Sequence, residues 1–338
     1  MAITGIRRLT YRVEDTSRCA RFFEDFGLTL REESENAARL EVMSGAEVVL
    51  LGADHPDLPQ GTTQTGIGVI ECIWAVDSEA ALARLCADLG RDHALTTDAD
   101  GTVHFVTAFG QAIGLQVWQA RPVFGAPSPS NTVGHIGRLN QPRKWIDRAV
   151  PKRIHHVVWT FPDVDEALNF YRDRLNFRLT DIQKGFGVYI RADGAYEHHN
   201  VFIANAHAGM PGFDGTLKFH HANFEVEDID EMMVAKNFLD RRGYRFNSWG
   251  MGRHRLTSAA FLYLPCPAGG EAEYGADCDC VDDSWRPRIW EGGFGTLIFM
   301  HDLPDWLMRE PPWDVSYANP DQLHYHPADP RPAPAEPA

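Results

Sequence analysis

Six of the fifteen histidines in this 338-residue chain stand in adjacent pairs: His155-His156 in RIHHVVWTF, His198-His199 in YEHHNVFI, and His220-His221 in FHHANFEVED. Neutral imidazole is a common ligand for divalent transition metals, and its near-neutral pKa also suits it to moving protons. Each pair lies in sequence that reads as a strand, rich in Val, Phe and Trp. Neighbours on a strand face opposite sides, so one ring of each pair is expected to serve a site while the other faces away or supports from behind. Along His220 to Val226, the residues His221, Asn223 and Glu225 form a polar face, and His220, Ala222, Phe224 and Val226 an apolar one. That parity selects His221. Between Arg153 and Phe161, His155 goes with Val157, Trp159 and Phe161, which should meet the helices, and His156 is left on the other side. The strand that follows His198-His199 has no clean alternation, so parity does not choose between those two.

A third ligand is offered by the strand ending GGEAEYG, which carries Glu273. Two imidazoles and one carboxylate on separate strands make a facial triad. Such a triad leaves adjacent coordination positions open and suits Fe(II), or Mn(II) with similar geometry. Open positions imply a catalytic metal.

The elements that must position these residues are written as a repeat. The opening GIRRLTYRVEDTSRCARFFEDFGLTL aligns with RIHHVVWTFPDVDEALNFYRDRLNFRL, each reading strand, acidic turn, amphipathic helix and Leu-rich exit. A second unit, GVIECIWAVDSEAALARL, aligns with LKFHHANFEVEDIDEMMVAKNFL. Two βα-type modules in each of two domains are expected, with ARLEVMSGAEVVLLG, TVHFVTAFGQAIGLQVWQ, FGVYIRADG and SAAFLYLPCPAGGEAEYG supplying further strands. In this alignment His156 matches Arg8, His221 matches Glu71, and Glu273 matches Gln116, so the first domain has no ligand set. The expected boundaries are a domain at 1–120, a Pro- and Gly-rich linker at 121–152, a catalytic domain at 153–290, a Trp-rich extension at 291–325 packing on or near the site, and a disordered Pro/Ala tail at 326–338.

Bulk properties narrow the partners. A formal charge of −15, with 32 Lys and Arg scattered along the chain, disfavours a nucleic-acid backbone and favours a small molecule. No apolar run reaches membrane-spanning length and no signal-peptide core precedes the first strand, so no membrane partner and a cytoplasmic location are expected. The six cysteines are dispersed, and the CDC at 278–280 has no standard zinc spacing.

The segments HHVVWTFPDVDEALNFY, YEHHN, FHHANFEVED, GRH and FLYLPCPAGGEAEYG occur in this order. In that order they resemble the type I extradiol ring-cleaving dioxygenases of the vicinal oxygen chelate superfamily. The resemblance implies an α+β fold of two tandem domains, each built from two βαβββ modules as a half-open barrel, with metal in the C-terminal barrel alone. It implies His156, His221 and Glu273 as ligands of Fe(II), with Mn(II) as the alternative, and O2 as co-substrate without an organic cofactor. It places an acid/base role on His199 and hydrogen-bonding roles on His254 and Tyr263. Arg253 and Arg255, which flank His254, and His198 are further substrate-binding candidates. The implied reaction is ring cleavage of a catechol to a muconic semialdehyde-type product in aromatic catabolism, by an enzyme that is a homo-oligomer. A non-redox isomerase or epimerase of the same superfamily, or a ligand-sequestering member, are the competing readings. The intact triad beside Tyr263 and His254 argues against both.

Overall fold

The computed structural model describes residues 3–328. The expected disordered tail therefore lies outside the described residues from 329 onward. The first half is β1 (Ile3–Val13), α1 (Thr16–Asp25), β2 (Thr29–Glu33), β3 (Ala37–Glu41) and β4 (Glu47–Gly52), then β5 (Gly68–Val76), α2 (Glu79–Leu89), β6 (Thr96–Thr97), β7 (Val103–Val106) and β8 (Ala112–Val117). The second half repeats the order as β9 (Arg153–Phe161), α3 (Val164–Leu175), β10 (Arg178–Gln183), β11 (Gly187–Arg191) and β12 (Val201–Asn205), then β13 (Lys218–Glu225), α4 (Ile229–Asp240), β14 (Gly252–Arg253), β15 (Ala260–Pro265) and β16 (Glu271–Ala276). The fold is thus α+β, with four βαβββ modules in two tandem pairs.

Each module turns from strand to helix by the same device. Asp15, Ser78, Asp163 and Asp228 precede α1 to α4, and each side chain accepts a hydrogen bond from the backbone N–H three residues on. That satisfies one of the donors a helix start leaves orphaned. The four helices and the apolar strand faces share one core. Tyr11 meets Phe219 edge-on, and Phe26 stacks on Tyr274 at 3.9 Å between ring centroids.

The strand orders match between halves: β2-β3-β4-β1-β5-β8-β7-β6 in the first, and β10-β11-β12-β9-β13-β16-β15-β14 within the second sheet. The second sheet is longer because the segment after residue 287 adds to it. There β17 (Arg288–Trp290) pairs with β10 at one edge, β18 (Phe299–Met300) pairs with β14 at the other, and β19 (Val315–Tyr317) lies outside β17. Only residues 291–298, containing the short α5 (Gly292–Thr296), run between the two edges. The sheet must curl until its edges nearly meet, and α5 bridges the remaining gap.

The register corrects two readings of the sequence. Along β9 and β13, Asn223 opposes His156 and Phe224 opposes Ile154, while His221 opposes Val158 and Phe219 opposes Trp159. His155 and His220 are the extra residues of two β-bulges, so strict alternation fails at each. Ile154 and Phe219 take the apolar positions that parity gave to His155 and His220, and both belong to the core. In the first half the same bulges recur at Arg7 and Ile70. The second correction concerns the counterpart of Glu273. Glu271 opposes His221 as Ala112 opposes Glu71, so Gly114, not Gln116, occupies the equivalent of Glu273. The two-residue error keeps parity, which is why alternation could not reveal it.

Candidate metal centre and its proton-handling rings

Three neighbouring strands place the expected ligands together. His156 comes from β9, His221 from β13 and Glu273 from β16, and one ligand atom of each lies within 4.8 Å of the others. Glu273 Oε2 is 3.3 Å from Nε2 of His156 and 3.3 Å from Nε2 of His221, and the two Nε2 atoms are 3.4 Å apart. All three residues are buried, at 6, 7 and 1 % exposure, and Glu273 Oε2 has no hydrogen-bond partner. A buried carboxylate oxygen without a donor is costly, and a divalent cation among these atoms would remove that cost. The donor set therefore fits a 2-His-1-carboxylate metal centre. Burial pushes the Glu273 carboxyl up, but the His156 and His221 rings outweigh it and hold the group well below the usual range. Burial pulls His156 down to about 3 against the attraction of Glu273, leaving a neutral ring with a lone pair to offer.

The bulges explain the pairs. Nδ1 of His155 lies 2.9 Å from Nδ1 of His156, and Nδ1 of His220 lies 2.6 Å from Nδ1 of His221. Each ligand ring thus turns Nε2 into the cluster and Nδ1 toward its neighbour, as ligating histidines commonly do with a supporting group. Glycine is required beside this arrangement: Gly270 has φ +60°, and a Cβ there would collide with the His220 carbonyl.

The other expected site residues divide into two groups. His199, just before β12, has its ring centroid 4.2 Å from that of His156 and meets the edge of Tyr189 at 5.0 Å. Burial, reinforced by the rings of His156 and His198, holds His199 well below the ordinary histidine pKa. Tyr263 on β15 lies opposite Glu273 in register, with its ring 5.1 Å from that of His221. Burial and the Glu273 charge hold its phenol well above the usual value. His254 Nδ1 lies 2.8 Å from the Thr296 carbonyl, which can only accept, so the proton is on Nδ1 and Nε2 accepts from the Tyr263 hydroxyl at 3.3 Å. These three belong to the cluster. Arg253 and Arg255 do not: Arg253 pairs with Asp277 at 2.8 Å, and Arg255 donates to the Phe294 carbonyl at 3.0 Å and lies over the Phe294 ring. His198 stands behind His199, with Nε2 3.0 Å from Asp181 Oδ2.

The Glyoxalase/Bleomycin resistance protein/Dioxygenase superfamily model matches residues 153–262, the stretch that carries both candidate histidine ligands. That stretch of the chain is similar to the superfamily; the match does not extend to the first half. Among relatives, Metapyrocatechase 2 of Cupriavidus necator is 33% identical over 169 residues, covering 49% of this chain and 50% of the relative. Biphenyl-2,3-diol 1,2-dioxygenase of Paraburkholderia xenovorans is 32% identical over 147 residues, covering 40% and 46%. The chain thus spans about half the length of the curated relatives it matches. Two solved structures share the whole fold. The Mn(II)-bound glyoxalase from Novosphingobium aromaticivorans has a TM-score of 0.66 at 21% identity, covering 98% of this chain and 97% of that one. A halotolerant catechol dioxygenase has a TM-score of 0.67 at 19% identity, covering 94% and 99%.

Around this cluster, sequence reasoning missed Asp181, Tyr189 and Thr296. Asp181 left a trace, because an aspartate in RLTDIQ is out of place in a strand that is otherwise of ordinary composition. Thr296 acts through its backbone carbonyl and leaves none.

Proposed function

We propose that the chain is an extradiol dioxygenase, which inserts both atoms of O2 into a catechol beside one of its hydroxyls. The observation that carries this reading is the sealed His156–His221–Glu273 cluster with an unpartnered carboxylate oxygen, surrounded by three proton-handling groups: His199, Tyr263 and His254. The likeness to Metapyrocatechase 2 and a biphenyl-2,3-diol 1,2-dioxygenase supports it.

The resident metal is proposed to be Fe(II), with Mn(II) held by the same three donors. When bound, it would supply a common point of attachment for substrate oxygens and O2 and a path for electron density between them. The protein's own residues do the rest. His254 is fixed by the Thr296 carbonyl with a free lone pair on Nε2, and the Tyr263 hydroxyl points its proton there. The Tyr263 oxygen can therefore take a proton from a substrate hydroxyl as its own passes to His254, so the phenol need never ionise. His199, neutral because it is buried, offers a lone pair in the same chamber and can take up and return a proton as the ring opens. Tyr189, which meets His199 at 5.0 Å and stacks on Phe202 at 4.2 Å, puts an aromatic ring beside that imidazole.

Oxygen consumption by anaerobically Fe(II)-loaded protein, given alkylated, bicyclic and carboxylated catechols, tests the proposal. Uptake of one O2 per catechol with a yellow product is expected. Stoichiometric iron with no uptake from any catechol would overturn it in favour of a non-redox isomerase.

A further inference from the structure

Asp181, on β10, is fully buried and receives donors from every side. Its Oδ1 accepts from the Arg288 backbone N–H at 2.8 Å and from Arg288 Nε at 3.1 Å. Its Oδ2 accepts from Arg288 Nη2 at 2.6 Å, from Trp290 Nε1 at 3.1 Å, and lies 3.0 Å from His198 Nε2. The Arg288 guanidinium is itself held between the rings of Trp285 and Trp290, at 4.4 and 4.8 Å from their centroids.

These contacts fix protons. A carboxylate ion-paired to arginine only accepts, so the proton of His198 is on Nε2. Arg288 already balances the Asp181 charge, so His198 needs only that one proton; its lone pair is then on Nδ1, which faces His199 Nδ1 at 3.3 Å. The bond between the two rings then runs from His199 to His198.

We propose that Arg288, Asp181 and His198 form a positioning relay that holds His199 as the tautomer protonated on Nδ1, with Nε2 as its basic nitrogen. The catalytic meaning of the relay rests on the dioxygenase reading; its geometry does not. Through it the segment after residue 287, which adds β17 beside β10, sets the state of a ring on the far side of β11. His254 is set from the same segment by a shorter route, the Thr296 carbonyl. One stretch of chain, Arg288 to Thr296, thus orients both histidines that handle protons.

The tautomer can be read without turnover. In protein labelled with 15N-histidine and loaded with diamagnetic Zn(II), long-range 1H–15N correlation reports which ring nitrogen of His199 is protonated, with His199→Gln assigning the signal. The native protein is expected to show Nδ1–H. Asp181→Asn should lose that single form and lower kcat about ten- to hundredfold, with KM held within about twofold and metal content unchanged. Where Asp181→Asn does not fold, His198→Phe removes the acceptor directly and should switch His199 to Nε2–H. A native His199 protonated on Nε2, or a folded Asp181→Asn or His198→Phe protein that keeps the native tautomer, would overturn the relay. Absence of oxygen uptake by the native protein with every catechol would instead overturn the dioxygenase reading and leave the tautomer result standing.

Discussion

The two halves of the molecule share strand order, helix caps and even the bulges at Arg7 and His155 and at Ile70 and His220, yet among the described residues only the second half gathers a candidate metal-ligand set. In the first half the position of His156 is Arg8, which pairs with Glu47 at 2.8 Å and Asp100 at 3.4 Å. The position of His221 is Glu71, which accepts from His104 Nδ1 at 2.7 Å, and His104 stands where Tyr263 stands in the second half. Gly114 replaces Glu273, and a Cβ there would press on Ile73 at 2.7 Å. The first cavity is closed electrically, every charge having an internal partner. In the second, Glu273 Oε2 meets the Nε2 atoms of His156 and His221, at 3.3 Å, and has no hydrogen-bond partner. The fold supplies the place; the candidate metal centre differs in having a carboxylate oxygen without a hydrogen-bond donor.

The largest effect is expected from erasing that mismatch. Glu273→Gln or His221→Ala should abolish stoichiometric Fe(II) binding, measured by metal analysis after gel filtration, with turnover lost alongside. Retention of one iron per chain by either variant would remove the cluster as the metal site. His199→Ala should keep its iron and slow oxygen uptake by about 10²-fold or more; native turnover would take His199 out of the chemistry. His155→Ala and His220→Ala should still take up metal, but with Kd raised about tenfold, since each removes the group behind a ligand ring. An unchanged Kd in a competition titration would make the bulge histidines mere packing.

The smallest expected effect lies in the first half. Burial lowers the pKa of His104, but Glu71 and Asp98 together outweigh it and leave it raised. A raised folded-state pKa stabilises the protein fully below the unfolded histidine value of about 6.5. That contribution is lost as pH rises through the folded value. Melting temperature should therefore fall slightly between pH 6 and 9, and His104→Gln should flatten that fall, by about 2 °C at most after solvent screening. A variant with the same slope as native would show that the Glu71–His104 pair does not contribute.

The clustering of His156, His221 and Glu273 and the four modules were legible because each leaves a periodic mark. His221, Asn223 and Glu225 alternate against an apolar face, and the repeat exposes what the first half lacks. Bulges leave no such mark. They insert one residue without changing composition, so parity assigned His155 and His220 to a face that Ile154 and Phe219 occupy. The same blindness to position along a strand put Gln116 opposite Glu273. Arg253 and Arg255 were chosen for their nearness to His254 in sequence, but Asp277 and the Phe294 carbonyl, their actual partners, come from other segments. Tertiary partners of this kind are set by how the edges of the sheet meet, which no local pattern records.

That meeting of edges separates reactivity from selectivity along the chain. The superfamily likeness runs from 153 to 262, whereas Arg288 and Thr296, which bear on the two histidines proposed to handle protons, lie beyond it. A short stave fitted between the edges of a half-open barrel is free to vary in length and side chains so long as one arginine and one carbonyl keep their places. Under the proposed dioxygenase reading, changes among Leu297, Met300, Trp306 and Leu307, which pack around Tyr263, would therefore reshape the substrate's surroundings while the Arg288–Asp181–His198 contacts stay as they are.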